Sequence, residues 1–406
     1  REQPAIPLDR AVGWTIFFSI VLLCFAAFFA NPSGSALDGI AATDIGENGI
    51  PTVAVDAPGS SPATNPESAD GPADGSISTE VAQPIGDGVI TIAFTGDVLV
   101  HESVAQSAAT EDGFDFSTQF GEVETILSDA DLALCHLETP ISSDNSALSY
   151  YPAFLVPSEL ADGIEGAGFA GCSVASNHAL DAGESGVRST FTELQRVTLG
   201  IAGVAGPNET RGRAARYEVG GVSIGHLSYA YGFNGLEPSG RNIELVNLLD
   251  ASAIEADAAS LKADGVDFVV VSAHWGSEYS TELTSQQAEL GPRLIASPNI
   301  DLVIGHHAHV VQQIVEYDGQ YVAYGLGNFL SNQSAETCSP CPTTTQDGVI
   351  LLVDIALASS GGYEVAELRA VATWVDRSNG HVIRVADDDS RQRTIAALTA
   401  SGVGLS

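Results

Sequence analysis

Five strand-length apolar runs in this chain end on the same kinds of residue, and that recurrence narrows the folds open to it. Residues 89–95 run into Gly96-Asp97, 132–135 into His136-Leu137-Glu138, and 169–175 into Ser176-Asn177-His178. Residues 266–273 run into His274-Trp275-Gly276, and 302–304 into Gly305-His306-His307-Ala308-His309. Open α/β sheets collect ligands in the crevice beyond the carboxyl ends of their strands. A chain that repeatedly places Asp, Glu, Asn and His at such ends is organised around one site. Helical patterns over 120–130, 158–167, 184–197, 251–263 and 286–296 separate the runs, and 199–202 adds a short strand. Residues 215–219 and 222–229 read as a hairpin about Gly220-Gly221. Beyond residue 310 strands follow one another, at 310–317, 320–324, 349–356 and 363–374, as an antiparallel meander. Alternation followed by runs of strands predicts an α/β core carrying a mixed, two-sheet sandwich over 88–375, with 376–406 as a C-terminal extension.

Ahead of this domain the composition changes twice. Residues 11–30 are twenty residues without a charge, long enough to span a hydrocarbon core. Arg1 and Arg10 precede them and the next base is Arg188. That asymmetry makes 1–10 a short cytoplasmic tail, 11–30 a transmembrane anchor, and everything beyond it extracytoplasmic. A signal peptide cut after Ala36 is the competing reading, and it exports the same domain. Residues 31–87 contain nine acids, no base and no aromatic. Such a stretch buries too little apolar surface to offset chain entropy and reads as a disordered acidic linker.

The net charge of -37 argues against nucleic acid as a partner, because phosphate neutralisation needs clustered bases. Any anionic substrate then needs local positive charge, and bound metal ions are one source. His307 and His309 are two residues apart, so on an extended backbone both imidazoles point the same way, as two ligands of a metal centre must. Oxygen and nitrogen donors without thiolate suit manganese, iron or zinc, and their number suits two divalent ions. Of the five cysteines, Cys24 lies in the apolar run, and Cys135 and Cys172 read as buried thiols in strands. Cys338 and Cys341 read as a small loop disulfide outside the cell.

Taken together, Gly96-Asp97, Leu137-Glu138, Ser176-Asn177-His178-Ala179-Leu180-Asp181, His274-Trp275-Gly276, Gly305 to Val310 and Gly325-Leu326-Gly327-Asn328-Phe329 resemble the CapA family. These are capsule or poly-gamma-glutamate biosynthesis proteins within the calcineurin-like metallophosphatase superfamily, and the resemblance covers residues 88–335 in family order. It implies a four-layer αββα sandwich of two mixed sheets behind one membrane helix and a linker. It implies that Asn177, His274 and His307 hold one ion, Asp97 and His309 the other, with Glu138 bridging. His178 becomes the catalytic histidine that is not a ligand, oriented by Asp181. No histidine stands two residues after Asp97; His101 stands four after, and its role, like that of His136, stays open. His306 and Asn328 read as supporting residues.

The expected protein is a membrane-anchored, extracytoplasmic contributor to synthesis, export or attachment of an anionic exopolymer. Its partners would be the membrane, subunits of a polymer-synthesis complex, and an anionic polymer or phosphoester substrate. Two other readings stand beside it, a general metal-dependent phosphoesterase and a non-catalytic scaffold of a polymer-export complex.

Overall fold

A computed structural model describes residues 52–54, 88–236 and 244–405. The chain enters through β1 (Thr52–Ala54) and β2 (Val89–Val98), followed by three short helices, α1 (Glu102–Ala108), α2 (Ser117–Phe120) and α3 (Glu124–Ser128). Then come β3 (Leu132–Leu137), α4 (Leu160–Gly166), β4 (Gly171–Ser173), α5 (Gly183–Arg196) and β5 (Gly200–Ala202). The second half brings β6 (Ala215–Val219), β7 (Val222–Ala230), α6 (Ala251–Ala263), β8 (Phe268–His274), α7 (Ser285–Ile295) and β9 (Leu302–His306). It closes with β10 (Ile314–Tyr317), β11 (Gln320–Ala323), β12 (Asn328–Leu330), β13 (Asp347–Leu357), β14 (Tyr363–Asp376), β15 (Val382–Val385) and α8 (Asp388–Leu398).

Among the described residues these strands form two mixed sheets. One runs β1-β6-β7-β8-β9-β11-β10; the other runs β15-β14-β13-β2-β3-β4-β5, with β12 paired to β2. The period-2 alternation of strand side chains fixes what lies between and outside them. On β8, Phe268 and Val270 face a core shared with Ile92 and Phe94 of β2 and Leu351 and Val353 of β13. Val269 and Val271 face the opposite way, onto Ile254 and Leu261 of α6 and Leu294 of α7. Ala93 of β2 and Ile350 of β13 face α1, α4 and α5 through Val104, Leu160 and Phe191. The order is helices, sheet, sheet, helices, and strands buried on both faces explain the continuous apolar runs of the sequence.

Several elements differ from the sequence expectation. The helix expected over 120–130 is broken at Gly121 into α2 and α3. β14 continues to Asp376, and residues 376–406 contribute β15, which pairs with β14, and α8, whose Leu398 enters the inter-sheet core. Cys135 and Cys172, expected as thiols, are joined in a disulfide between the neighbouring strands β3 and β4. Each strand is apolar by itself; only their pairing brings the two sulfurs together. Cys338 and Cys341 form the loop disulfide. No helix among the described residues is long and apolar enough to cross a membrane. The expected tail 1–10 and span 11–30 lie outside those residues. So does the linker 31–87, apart from β1, whose backbone pairs parallel with β6.

Two glycines let backbones close in at the strand ends. A Cβ on Gly96 would stand 2.1 Å from the carbonyl oxygen of Gly327, and one on Gly305 would stand 1.9 Å from that of Tyr324 and 2.5 Å from the Trp275 indole nitrogen. Neither obstacle is a flexible side-chain tip. Gly305→Ala is expected to destabilise the fold by about 1–3 kcal/mol through overpacking, read as a lower denaturant midpoint at unchanged slope. An unchanged midpoint would show that β9 and β11 tolerate separation.

Candidate metal centre

Both sheets end at one place, and each supplies polar residues there. Asp97 is carried by β2 just past a register shift against β3, an irregularity of the kind that re-aims a side chain. Glu138 follows β3 directly, its amide bonded to the carbonyl of Val98 at 3.1 Å. Asn177, His178 and Asp181 lie in the turn between β4 and α5. From the other sheet, His274 ends β8 and His306 ends β9. His307 and His309 lie beyond the strand with φ of 88° and 56°, in the left-handed region that non-glycine residues rarely enter. The expectation that strand parity aligns these two imidazoles is therefore corrected: a strained turn after β9 aims them, not the pleat.

Every ligand expected from sequence converges. Ligand atoms of Asp97, Glu138 and His309 lie within 4.8 Å of one another, and so do those of Glu138, His274 and His307. Asn177 Oδ1 is 2.9 Å from His274 Nε2, which places the amide beside the second group. Glu138 belongs to both groups, the position a bridging carboxylate needs. His178 stands beside them with Nε2 4.0 Å from Glu138 Oε1 and Nδ1 2.7 Å from Asp181 Oδ2. Asp181 Oδ2 also accepts from the Phe154 amide at 2.8 Å, and the Phe154 ring stands edge-on to His178, so both partners are fixed.

Supporting residues set tautomers. His309 Nδ1 lies 3.0 Å from Asn328 Oδ1 and 3.1 Å from Asp97 Oδ2, leaving Nε2 free toward Glu138 at 3.7 Å. The Asn328 amide nitrogen donates to Gln333 and to the Thr345 carbonyl, so its oxygen must face His309. His136 uses both nitrogens, on Ser173 Oγ at 2.8 Å and His274 Nδ1 at 2.9 Å, and so orients His274.

Three further residues bear on the centre. His306, read as support, joins Asp97 and His136 in a third group, with Nδ1 3.3 Å from Asp97 Oδ1. Its run of three histidines was the available signal. Glu278 joins His307 and His309 in a fourth group; a lone acid in a polar loop carries no such signal. His101 is in none of these groups and lies against the Leu99 carbonyl at 3.2 Å.

The electrostatics fit a cation. Glu138 is 1% exposed, and neither of its carboxylate oxygens has a hydrogen-bond partner. Asp97 Oδ1, both His306 nitrogens and His307 Nδ1 are buried without partners as well. Buried polar atoms are almost always satisfied, so such a cluster is suited to holding a cation. Burial pushes the Glu138 carboxyl up to about 7, against the pull of His309. Burial also works against charge on Asp97, but the adjoining His306 and His309 imidazoles hold that carboxyl well below its ordinary value. Burial opposes charge on His309, yet Glu138 and Asp97 raise it to about 9. Burial, with neighbouring imidazoles, holds His274 well below its ordinary value and His307 at about 3, which leaves neutral rings with lone pairs to offer. The residues thus suit divalent metal ions, and Glu138 is shared by two of the groups.

Loading with manganese, iron(II) or zinc is expected to raise the melting temperature, since a ligand at a hundred times its dissociation constant adds about 2.7 kcal/mol to the native state. Asp97→Asn and Glu138→Gln should each abolish that rise. A melting temperature indifferent to all three metals would exclude the centre.

Comparison with known proteins shows the family to which the chain belongs. The chain is 25% identical to the PGA biosynthesis protein CapA of Bacillus subtilis over 328 residues, covering 79% of this chain and 80% of that protein. It is 26% identical to the capsule biosynthesis protein CapA of Bacillus anthracis over 256 residues, covering 60% of each. Among solved structures it is similar to the calcineurin-like phosphoesterase YfkN of Bacillus subtilis, with 13% identity, a TM-score of 0.39, and coverage of 76% of this chain and 95% of that one. Residues 91–333, more than half of the chain, match the family described as bacterial capsule synthesis protein PGA_cap, and the chain belongs to that family.

Proposed function

We propose that this protein is a metal-dependent hydrolase serving the synthesis, export or attachment of a poly-gamma-glutamate-like exopolymer at the outer face of the membrane. The observation that carries the hydrolase reading is Glu138, a buried, unpartnered carboxylate shared by two groups of ligands with the His178–Asp181 pair alongside. When bound, two divalent ions would polarise the oxygen of the scissile group and acidify the attacking water. The chain's own residues do the rest. Asp97, Glu138, Asn177, His274, His307 and His309 would hold the cations on a buried floor. Asp181 accepts from His178 Nδ1 and thereby keeps Nε2 facing the centre, where it hands a proton to the leaving group. Residues 11–30 would anchor the domain and 31–87 would tether it. The two disulfides support an oxidising compartment. Subunits of a polymer-synthesis complex are the proposed partners.

The test is metal analysis of the purified domain together with hydrolysis of chromogenic ester and amide probes. Two equivalents of metal are expected in the wild type and in His178→Ala. The rate in His178→Ala should fall by about 10²–10⁴, the usual contribution of a general acid, and Asp181→Asn should fall in the same direction. His309→Ala should lose metal. A domain that binds no metal, or one in which His178→Ala leaves the rate unchanged, would leave only a scaffold role.

A further inference from the structure

Three histidines close interior rows of the sandwich. By strand alternation Leu132, Leu134 and His136 of β3 share a face, as do Phe268, Val270 and His274 of β8 and Leu302, Ile304 and His306 of β9. The apolar members of all three rows lie in the inter-sheet core, so the imidazoles stand between the sheets. His274 and His306 are register partners, and the His136 ring from the other sheet stacks on them at 4.9 Å and 4.0 Å respectively.

Two of the three are already bonded. His136 engages Ser173 and His274 through its two nitrogens, and His274 engages His136 and Asn177. Another buried imidazole, His226, meets Ser272 Oγ at 2.8 Å and belongs to no group of possible ligands among the described residues. His306 differs from all of these. It is 3% exposed, and neither of its nitrogens has a hydrogen-bond partner among the described residues. Its position is nevertheless fixed: the ring lies 12° from parallel with that of His136, and its carbonyl accepts from the Trp275 amide at 3.2 Å. A buried imidazole held in place with both nitrogens bare needs a physical reason.

Asp97 shows the complementary asymmetry. Its Oδ2 is occupied, 3.2 Å from the His307 amide and 3.1 Å from His309 Nδ1. Its Oδ1 is buried without a hydrogen-bond partner and lies 3.3 Å from His306 Nδ1. Two ligand atoms that each stand about 2.0–2.2 Å from one cation, at tetrahedral or octahedral angles, are separated by roughly 2.8–3.6 Å. The Oδ1–Nδ1 distance falls within that span. A cation of its own for His306 is disfavoured, because the centre holds only two buried carboxylates, Asp97 and Glu138, to offset charge.

We propose that His306 Nδ1 and Asp97 Oδ1 bind the same divalent cation, which gives the Asp97 position a nitrogen ligand from inside the sandwich. His136, with both nitrogens engaged elsewhere, aims that ligand by stacking and does not itself bind. The inference rests on the reading of this centre as a metal site.

Zinc titration of the full chain by calorimetry, with metal content checked by elemental analysis, tests it without turnover. His306→Phe keeps a flat ring for the His136 stack and removes both nitrogens. Affinity for one of the two expected equivalents should fall by more than about 100-fold in this variant, with the other unchanged. Loss of a residue that only supports a ligand costs about 10–100-fold. A fall of 100-fold or less, or an equal fall in both equivalents, would overturn the assignment and leave a metal centre in place. A wild-type measurement makes the test independent of how the variant folds. With isotopically labelled cadmium and histidine nitrogen, one-bond coupling is expected at His306 Nδ1. Coupling at His274, His307 and His309 without it would overturn the inference, and a chain that takes up no metal would overturn the metal reading as well.

Discussion

Two carboxylates buried where the two sheets meet are the constraint on which the rest of this structure depends. Asp97 and Glu138 are each 1% exposed, and between them three oxygens lack any protein donor. Ionised carboxylates are expensive to desolvate and persist in such places only when paired or bound to a cation. The surroundings supply partial relief in the form of His306 and His309 against Asp97, and His309 against Glu138. A cation is the group that would complete it, and the buried imidazoles of His274 and His307, held neutral, leave lone pairs beside Glu138 to receive one.

The sandwich accounts for how the crowding arises. One sheet delivers Asp97, Glu138 and His178, and the other delivers His274 and the histidines after β9. Contacts across the seam then lock the halves together: His136 with His274 at 2.9 Å, and Asp97 with the His307 amide at 3.2 Å. Packing the inter-sheet core therefore also sets the geometry of the centre. The glycines at 96 and 305 serve the same end, because they let the strands carrying Asp97 and the histidines approach the backbones of Gly327 and Tyr324.

Much of this was legible from sequence for a definite physical reason. Strands buried on both faces are written as apolar runs, and the residue types at their ends are written in chain order, so the architecture and the gathering of Asp97, Glu138, Asn177, His274, His307 and His309 at strand ends could be read together. Less legible were the elements without strong periodicity: α1, β15 and α8, and the break at Gly121 that divides α2 from α3. The Cys135–Cys172 disulfide was hidden because strand order is a pairing property and not a local one. Glu278 was hidden because only the folding back of the loop at Tyr279 carries it to the histidines.

The amino-acid sequence by itself determined which chemical groups stand at strand ends, since alternation and apolar run length are local properties of the chain. Tertiary structure alone decided which groups meet. It placed Glu138 in both ligand groups, turned His307 and His309 through left-handed backbone instead of a pleat, and engaged both nitrogens of His136 in support while leaving those of His306 bare. The physical reason is that a side chain's role here depends on partners far along the chain, as for Asp97 and the His307 amide, 210 residues apart. Their separation is settled by sheet packing and by the desolvation that packing imposes.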